Sequence, residues 1–277
     1  MKIKIWGTRG SIPTSGPETN YFGGNTSCIE VSEDGWLLVL DSGSGIQRLP
    51  VSNNFEYKRI DILLTHLHFD HIQGLGFFKP LFNPAMEVHI WGPAGSTLTL
   101  RSRLGRYFSP PLFPVHFRDL PCMPVLHEIE NSFFEIGPFS IQSCYVIHAG
   151  PTVGFRINDQ HSVFSYIPDH EPALGRTGLL KDIRWISGGG LALDADLLLH
   201  DSQYTSEEYK QRIGWGHSSM KDAAQFASLA RVKHLLFSHH DPTHTDLQLK
   251  EIFSDFQKNN IYPFKCEMAV EGMKLEL

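Results

Sequence analysis

Three imidazoles and one carboxylate stand within six residues at His66, His68, Asp70 and His71, in the run Thr65-His66-Leu67-His68-Phe69-Asp70-His71. The apolar residues 60–64 before it read as a buried strand. Side chains alternate along an extended chain, so His66 and His68 point the same way. Asp70 and His71 fall at the turn that follows, where the backbone can fold them back. One metal ion is thereby offered two imidazoles, and an Asp-His pair is left for a second ion close by. Imidazole nitrogen and carboxylate oxygen suit zinc, manganese and iron. The chain holds 15 histidines, so chance clusters are possible in principle. An HxHxDH run directly behind an apolar strand is nevertheless a specific metal signature.

Composition sets the frame around this motif. The chain has 277 residues, 41% hydrophobic and 19% charged, as in ordinary globular proteins. No repeat, low-complexity tract or linker interrupts it, so one domain spanning 1–277 is the economical expectation. Cys28, Cys122, Cys144 and Cys266 are scattered without a CxxC pair, which points to neither a disulfide framework nor a cysteine metal site. Residues 1–6 read as strand rather than as a signal-peptide core, and no apolar run reaches membrane-spanning length. A cytoplasmic protein with no membrane partner is expected. The net charge is -6 and there is no block of Lys and Arg. That disfavours a long nucleic acid as partner and favours a small anionic substrate, since phosphate neutralisation dominates nucleic-acid affinity.

The flanking elements must bring other residues to the histidines. Residues 3–6 read as a strand, followed by a glycine-rich loop at 7–13 that is not a dinucleotide motif. Residues 26–31 and 36–40 form two further strands joined by a turn. The second ends at Asp41, in a position suited equally to a hydrogen-bonding brace or to a turn former. A short helix is expected over 72–78, ended by Pro80, and a strand over 87–91. Prolines at 110, 111, 114, 121 and 124 then crowd a segment that also carries Arg101, Arg103, Arg106, Tyr107, Phe108, Phe113 and Phe117. They bar a continuous helix or central strand. The segment 100–124 is either a surface loop with core aromatics or a lid bearing groups for a phosphate and a base. Strands are expected at 133–135, 140–147, 153–157, 162–166, 195–199 and 235–237. Helices are expected behind Ser219 and over 245–258.

The later strands share one grammar, an apolar run closed by His or Asp. His148, Asp169 and Asp201 each end such a run, as do the adjacent His239 and His240. His217 lies in Gly214-Trp215-Gly216-His217-Ser218, just ahead of a helix. Any one of these could be an ordinary polar loop residue. Five in succession behind HxHxDH are hard to ascribe to chance, because loops at the strand ends of layered α/β folds converge on one edge.

Taken together, these residues resemble the metallo-β-lactamase superfamily, in its ribonuclease Z-like phosphodiesterase branch. The resemblance runs from Gly7-Thr8-Arg9-Gly10-Ser11 to His239 and implies an α/β fold, an αββα four-layer sandwich. It implies a dinuclear site in which His66, His68 and His148 hold one divalent ion. Asp70, His71 and His239 hold the other, and Asp169 bridges the two. Asp41 matches the aspartate that braces the histidine loop. His239 is preferred over His240 because it follows Ser238, as the family's terminal His follows Thr or Ser. Gly216-His217-Ser218-Ser219 resembles the His-Ser-Thr segment of ribonuclease Z enzymes. His200-Asp201-Ser202-Gln203-Tyr204 resembles their His-Glu-Ala-Thr segment, with Asp for Glu. The lactam-cleaving members generally lack this Asp-His pair and often use a cysteine ligand, so antibiotic hydrolysis is not expected.

The expected enzyme is a two-metal phosphodiesterase, with Zn or Mn and Fe as a further option. Asp70 orients the attacking water, and His217, held by Asp201, serves the leaving oxygen. A cyclic nucleotide or short dinucleotide is the leading substrate expectation, given the acidic chain and the lack of a long basic arm. Ribonuclease Z-type RNA processing is the first alternative. Ester, thioester or lactone hydrolysis on the same metals is the second, and a homodimer is compatible with either.

Overall fold

The computed structural model describes residues 1–50, 57, 59–174 and 178–277. Six strands open the chain: β1 (Lys2–Gly7), β2 (Cys28–Glu33), β3 (Trp36–Leu40), β4 (Arg59–Leu63), β5 (Glu87–Pro93) and β6 (Val125–Ile129). A second set follows: β7 (Ser132–Ile136), β8 (Phe139–Tyr145), β9 (Val153–Asn158), β10 (Val163–Ile167), β11 (Leu197–Asp201), β12 (His234–Ser238) and β13 (Lys265–Met268). The last strand, β14 (Lys274–Glu276), returns to the first sheet beside β1. The two sheets run β14-β1-β2-β3-β4-β5-β6 and β13-β12-β11-β10-β9-β8-β7. Each has a parallel half, β3 to β6 in the first and β10 to β13 in the second.

The sequence explains the layering. Strand β3 is apolar at every position, so both of its faces must be covered. Leu38 and Leu40 pack between the sheets with Phe155, Phe164, Leu197 and Leu199. Leu37 and Val39 face outward, into a core that includes Leu100, Leu104 and Tyr107. Likewise Leu198 of β11 faces a third core containing Ala223, Phe226 and Ala227. Helices on both outer faces of two stacked sheets make the expected αββα sandwich.

Helices α1 (Phe69–Ile72), α2 (Leu100–Tyr107), α3 (Gly189–Ala192), α4 (Ser206–Lys210), α5 (Met220–Leu229) and α6 (Asp246–Asn259) complete the described elements. The last two lie where their periodicity places them, with the Ser219 and Thr245 side chains capping their first turns. One expectation needs correction, and one segment holds an element the sequence reading did not include. The helical turn near 72 begins earlier, as α1 on the metal motif itself, and two 3-10 turns follow, Leu75–Phe77 and Lys79–Phe82, the second containing Pro80. Gly74 and Gly76 weaken a helix there. A Cβ at Gly74 would also stand 2.2 Å from the Gly43 carbonyl, so close packing against that loop sets the path. Within 100–124 a regular helix does form. It occupies α2, ahead of the first proline, with Thr99 as its cap. Phe108, Phe113 and Phe117 behind it are buried. No described helix is long and apolar enough to cross a membrane.

Candidate functional site

Strands β3, β4, β10, β11 and β12 all end on the same edge of the sandwich, and each is followed by a polar residue that turns inward. Asp41 follows β3, the histidine run follows β4, Asp169 follows β10, Asp201 closes β11 and His239 follows β12. His148 lies just beyond β8. Positions 66, 70, 71, 169, 201 and 239 are buried. Four sets of ligand atoms lie within 4.8 Å of one another: His66/His68/His148, His66/His71/Asp169, Asp70/His71/His239, and Asp169/Asp201/His217/His239. The structure thus brings every sequence-predicted ligand into one cluster, with Asp169 shared between groups.

One nitrogen of nearly every ring is anchored, which aims the other inward. The Nδ1–H of His71 donates to Asp41 at 2.8 Å, leaving Nε2 facing Asp169 at 2.9 Å and Asp70 at 3.3 Å. His66 Nδ1 is 3.0 Å from Thr65 Oγ1. His148 Nδ1 donates to the Gly216 carbonyl at 2.7 Å, while its Nε2 lies 3.1 Å from His68 Nδ1. His239 Nδ1 meets Gln203 Oε1 at 3.1 Å, and Nε2 lies 3.1 Å from Asp169 and 3.3 Å from Asp70. His217 Nδ1 donates to Asp201 at 2.7 Å, and its ring stacks on His239 with centroids 4.9 Å apart. Asp41 is a brace rather than a turn former. Besides His71 it accepts from the Thr65 backbone at 2.8 Å and from the Tyr166 hydroxyl at 2.9 Å.

The charges have no counterweight of their own. Among the described residues, no Lys or Arg pairs with Asp41, Asp70, Asp169 or Asp201. Buried carboxylates need compensating charge. Burial pushes the carboxyls of Asp70 and Asp169 up, but neighbouring imidazoles outweigh it and hold both well below the usual carboxylate range. Burial pulls His71 and His239 down, yet the facing carboxylates raise both, His239 to about 9. His66, His68 and His148 are depressed, chiefly by burial. Protons on two rings thus supply positive charge that a divalent cation would replace. His66 Nε2 is also buried without a hydrogen-bond partner, and His71 Nε2 and Asp169 Oδ2 have only each other, 2.9 Å apart. Nitrogen and oxygen donors, convergent around excess negative charge, fit divalent metals.

Of the adjacent histidines, His239 enters the cluster. His240 turns away, its Nε2 2.9 Å from the Ala269 carbonyl, and burial lowers it to about 3. The split requires a left-handed backbone at His239, φ 60°, and Asp41 shares that conformation at φ 56°. Such positions in non-glycine residues cost about 1–3 kcal/mol each and persist where surrounding structure dictates them.

Several contributors escaped sequence reasoning. Ser11 donates its backbone N–H to Asp70 at 2.8 Å, so the glycine-rich loop serves the site directly. A Cβ at Gly10 would stand 2.3 Å from His239 Nδ1, which explains a glycine there. Buried Arg9 donates to the carbonyls of Gly23, Asp241 and His244, tying this loop to the one that carries His239. Buried Glu171 accepts from the backbone N–H groups of Gly214 and Gly216 at 2.8 and 2.7 Å and from Tyr209 at 2.9 Å. It fixes the loop whose Gly216 carbonyl anchors His148 and whose next residue is His217. A Glu two residues beyond a predicted ligand was the available signal, but nothing in the sequence says which backbone it holds.

Residues 38–240 match the model of the beta-lactamase superfamily domain. A ribonuclease Z of Prochlorococcus marinus subsp. pastoris is 26% identical over 308 residues, covering 95% of this chain and 96% of its own. The human short-form tRNase Z superposes with a TM-score of 0.66 at 19% identity, covering 100% of this chain. It is covered over 99% of its own length. Yeast PDE1 reaches 0.70 at 15% identity, with 100% of this chain and 99% of its own covered. With that family match over most of its length and this sandwich beneath it, the chain belongs to the beta-lactamase superfamily, as a metallo-β-lactamase-fold hydrolase of the ribonuclease Z-like branch.

Proposed function

We propose that this metal-dependent phosphoric diester hydrolase is an RNA-processing endonuclease of ribonuclease Z type. The observation that carries the reading is the Asp201–His217 pair, 2.7 Å apart and set against Asp169 and His239. An ester or lactone adds the nucleophile at its carbonyl before the alkoxide leaves, whereas displacement at phosphorus breaks the leaving-oxygen bond as attack proceeds, so a positioned proton donor serves it directly. Full-length similarity to ribonuclease Z sequences supports the same reading and favours it over the small-diester expectation.

His66, His68 and His148 would hold one ion, Asp70, His71 and His239 a second, with Asp169 between them. When bound, zinc or manganese ions, with iron as a further option, supply Lewis acidity toward phosphoryl oxygens and make a water more acidic. Asp70, fixed by the Ser11 N–H, accepts from the attacking water and turns its oxygen toward phosphorus. As that oxygen bonds to phosphorus, the bond to the leaving oxygen breaks. His217 gives the leaving oxygen its Nε2 proton, while Asp201 holds Nδ1 and so aims Nε2.

A second reading, hydrolysis of a cyclic nucleotide or short dinucleotide, is favoured by the net charge of -6 and by a cavity of about 480 Å³ beside His66 and His68. One screen separates the readings. Metal-loaded protein is given pre-tRNA with a 3′ trailer, cyclic nucleotides, dinucleotides, bis-p-nitrophenyl phosphate, an ester and a lactone. Cleavage of pre-tRNA at a discrete site is expected. Turnover of cyclic nucleotides with pre-tRNA intact would favour the second reading, and ester or lactone turnover without any diester cleavage would reject both.

A further inference from the structure

The cavity beside His66 and His68 is walled by α1, by α2 and by residues 149–151. Its charged lining side chains, apart from the site histidines, are Arg103 and Arg106, and no carboxylate lines it. In a chain with six more acidic than basic residues this is a selective arrangement. Arg103 donates to the Pro93 carbonyl, and its Nε is buried without a partner. Arg106, one turn further along α2, has no ion-pair partner among the described residues. Apolar surface is exposed at the same mouth, with Phe69 62% and Leu112 71% accessible. The walls are preformed. The Tyr107 hydroxyl donates to the Gln73 carbonyl at 2.8 Å and accepts from the Gly76 N–H at 3.3 Å, which locks the end of α2 to the segment behind α1.

Position gives the cavity a direction. His217 does not line it. The His148 ring stands between the two, with centroids 4.9 Å from His68 and 5.0 Å from His217. If His217 serves the leaving oxygen, the cavity lies on the side of the half that keeps the cleaved phosphate. We propose that this cavity is a nucleotide subsite: it takes the base of that retained half against Phe69 and Leu112, and Arg106, beside the positive charge of Arg103, takes the next phosphate along the chain. Guanidinium groups pair bidentately with phosphate, and flat apolar surface accepts any base. The inference rests on the diesterase reading for its direction, but it adds a substrate property. A diester that continues into a second phosphate binds better than one that stops.

Calorimetric titration of metal-loaded protein with adenosine 3′,5′-bisphosphate, adenosine 5′-monophosphate and ribose 5-phosphate tests this. The bisphosphate should bind about tenfold more tightly than the monophosphate, the worth of one charge-assisted contact. Ribose 5-phosphate should bind more weakly than either. Arg106→Ala should remove the bisphosphate advantage, and Leu112→Ala should weaken both adenosine compounds but not ribose 5-phosphate. Both side chains are exposed, so folding is not at stake. Equal affinity for the two adenosine phosphates, or an advantage that survives Arg106→Ala, overturns the second-phosphate contact. Equal binding of monophosphate and ribose 5-phosphate overturns the base contact. Absence of diester hydrolysis with these binding patterns intact would reject the function but not the subsite.

Discussion

The first sheet delivers His66, His68, Asp70 and His71 from a single stretch at the end of β4. The second delivers His148, Asp169, His217 and His239 from four separate loops and Asp201 from the last position of β11. The contiguous group owes its geometry to local backbone, the strand alternation followed by one helical turn, with Asp41 locking the His71 ring and the Ser11 N–H fixing Asp70. The dispersed group has no local rule. Its geometry depends on Glu171, Gln203 and Arg9, each of which holds a loop remote in sequence. One half of the site is therefore written along the chain, and the other is assembled from the fold.

Perturbing each half separately sharpens that contrast. Asp169→Ala strikes the residue shared between the groups and should have the largest effect. We expect loss of stoichiometric metal and of diester hydrolysis, read by elemental analysis and turnover; retention of full metal content would place Asp169 outside the ligand set. His68→Ala, on the contiguous side, should lose part of the metal with activity, and an unchanged stoichiometry would remove His68 from the ligands. His217→Ala, on the dispersed side, should keep its metal and slow turnover by roughly 10²–10⁴, the usual worth of a general acid. Loss of metal in that variant would make His217 a ligand instead.

The supporting residues should divide in the same way, with smaller effects. Asp41→Asn leaves the His71 Nδ1–H facing an amide in place of a carboxylate, and should weaken metal binding by roughly 10–100-fold. Competition with a chelator measures this. Glu171→Gln sets an amide N–H against the Gly216 N–H and should lower kcat toward the small end of that roughly 10–100-fold range, with less effect on metal affinity. A fall in Tm with kcat unchanged would reduce Glu171 to a purely structural contact. If the two variants gave the same profile, the contrast between the halves would fail.

Much of the site was legible because its chemistry is carried by residue types at strand ends. The HxHxDH run and the apolar strands before the later ligands could be read directly, and the roles of Asp201 and His217 came through the family resemblance. The helix near 72–78 is displaced and α2 was not anticipated, since helix boundaries there depend on how closely Gly74 packs against Gly43 and on a Thr99 cap ahead of the proline-rich stretch. The short edge strands β6, β13 and β14 carried too little pattern to register.

By itself, the sequence determined the donor types and the apolar strands that flank them. Only the tertiary structure decided that His240 turns away to the Ala269 carbonyl, that Glu171 governs the His217 loop, and that two arginines of α2 border the site. Residue type and local alternation are properties of neighbours along the chain. Which loops meet at a sheet edge, and which buried atoms are left without a partner, follows from packing between segments far apart in sequence.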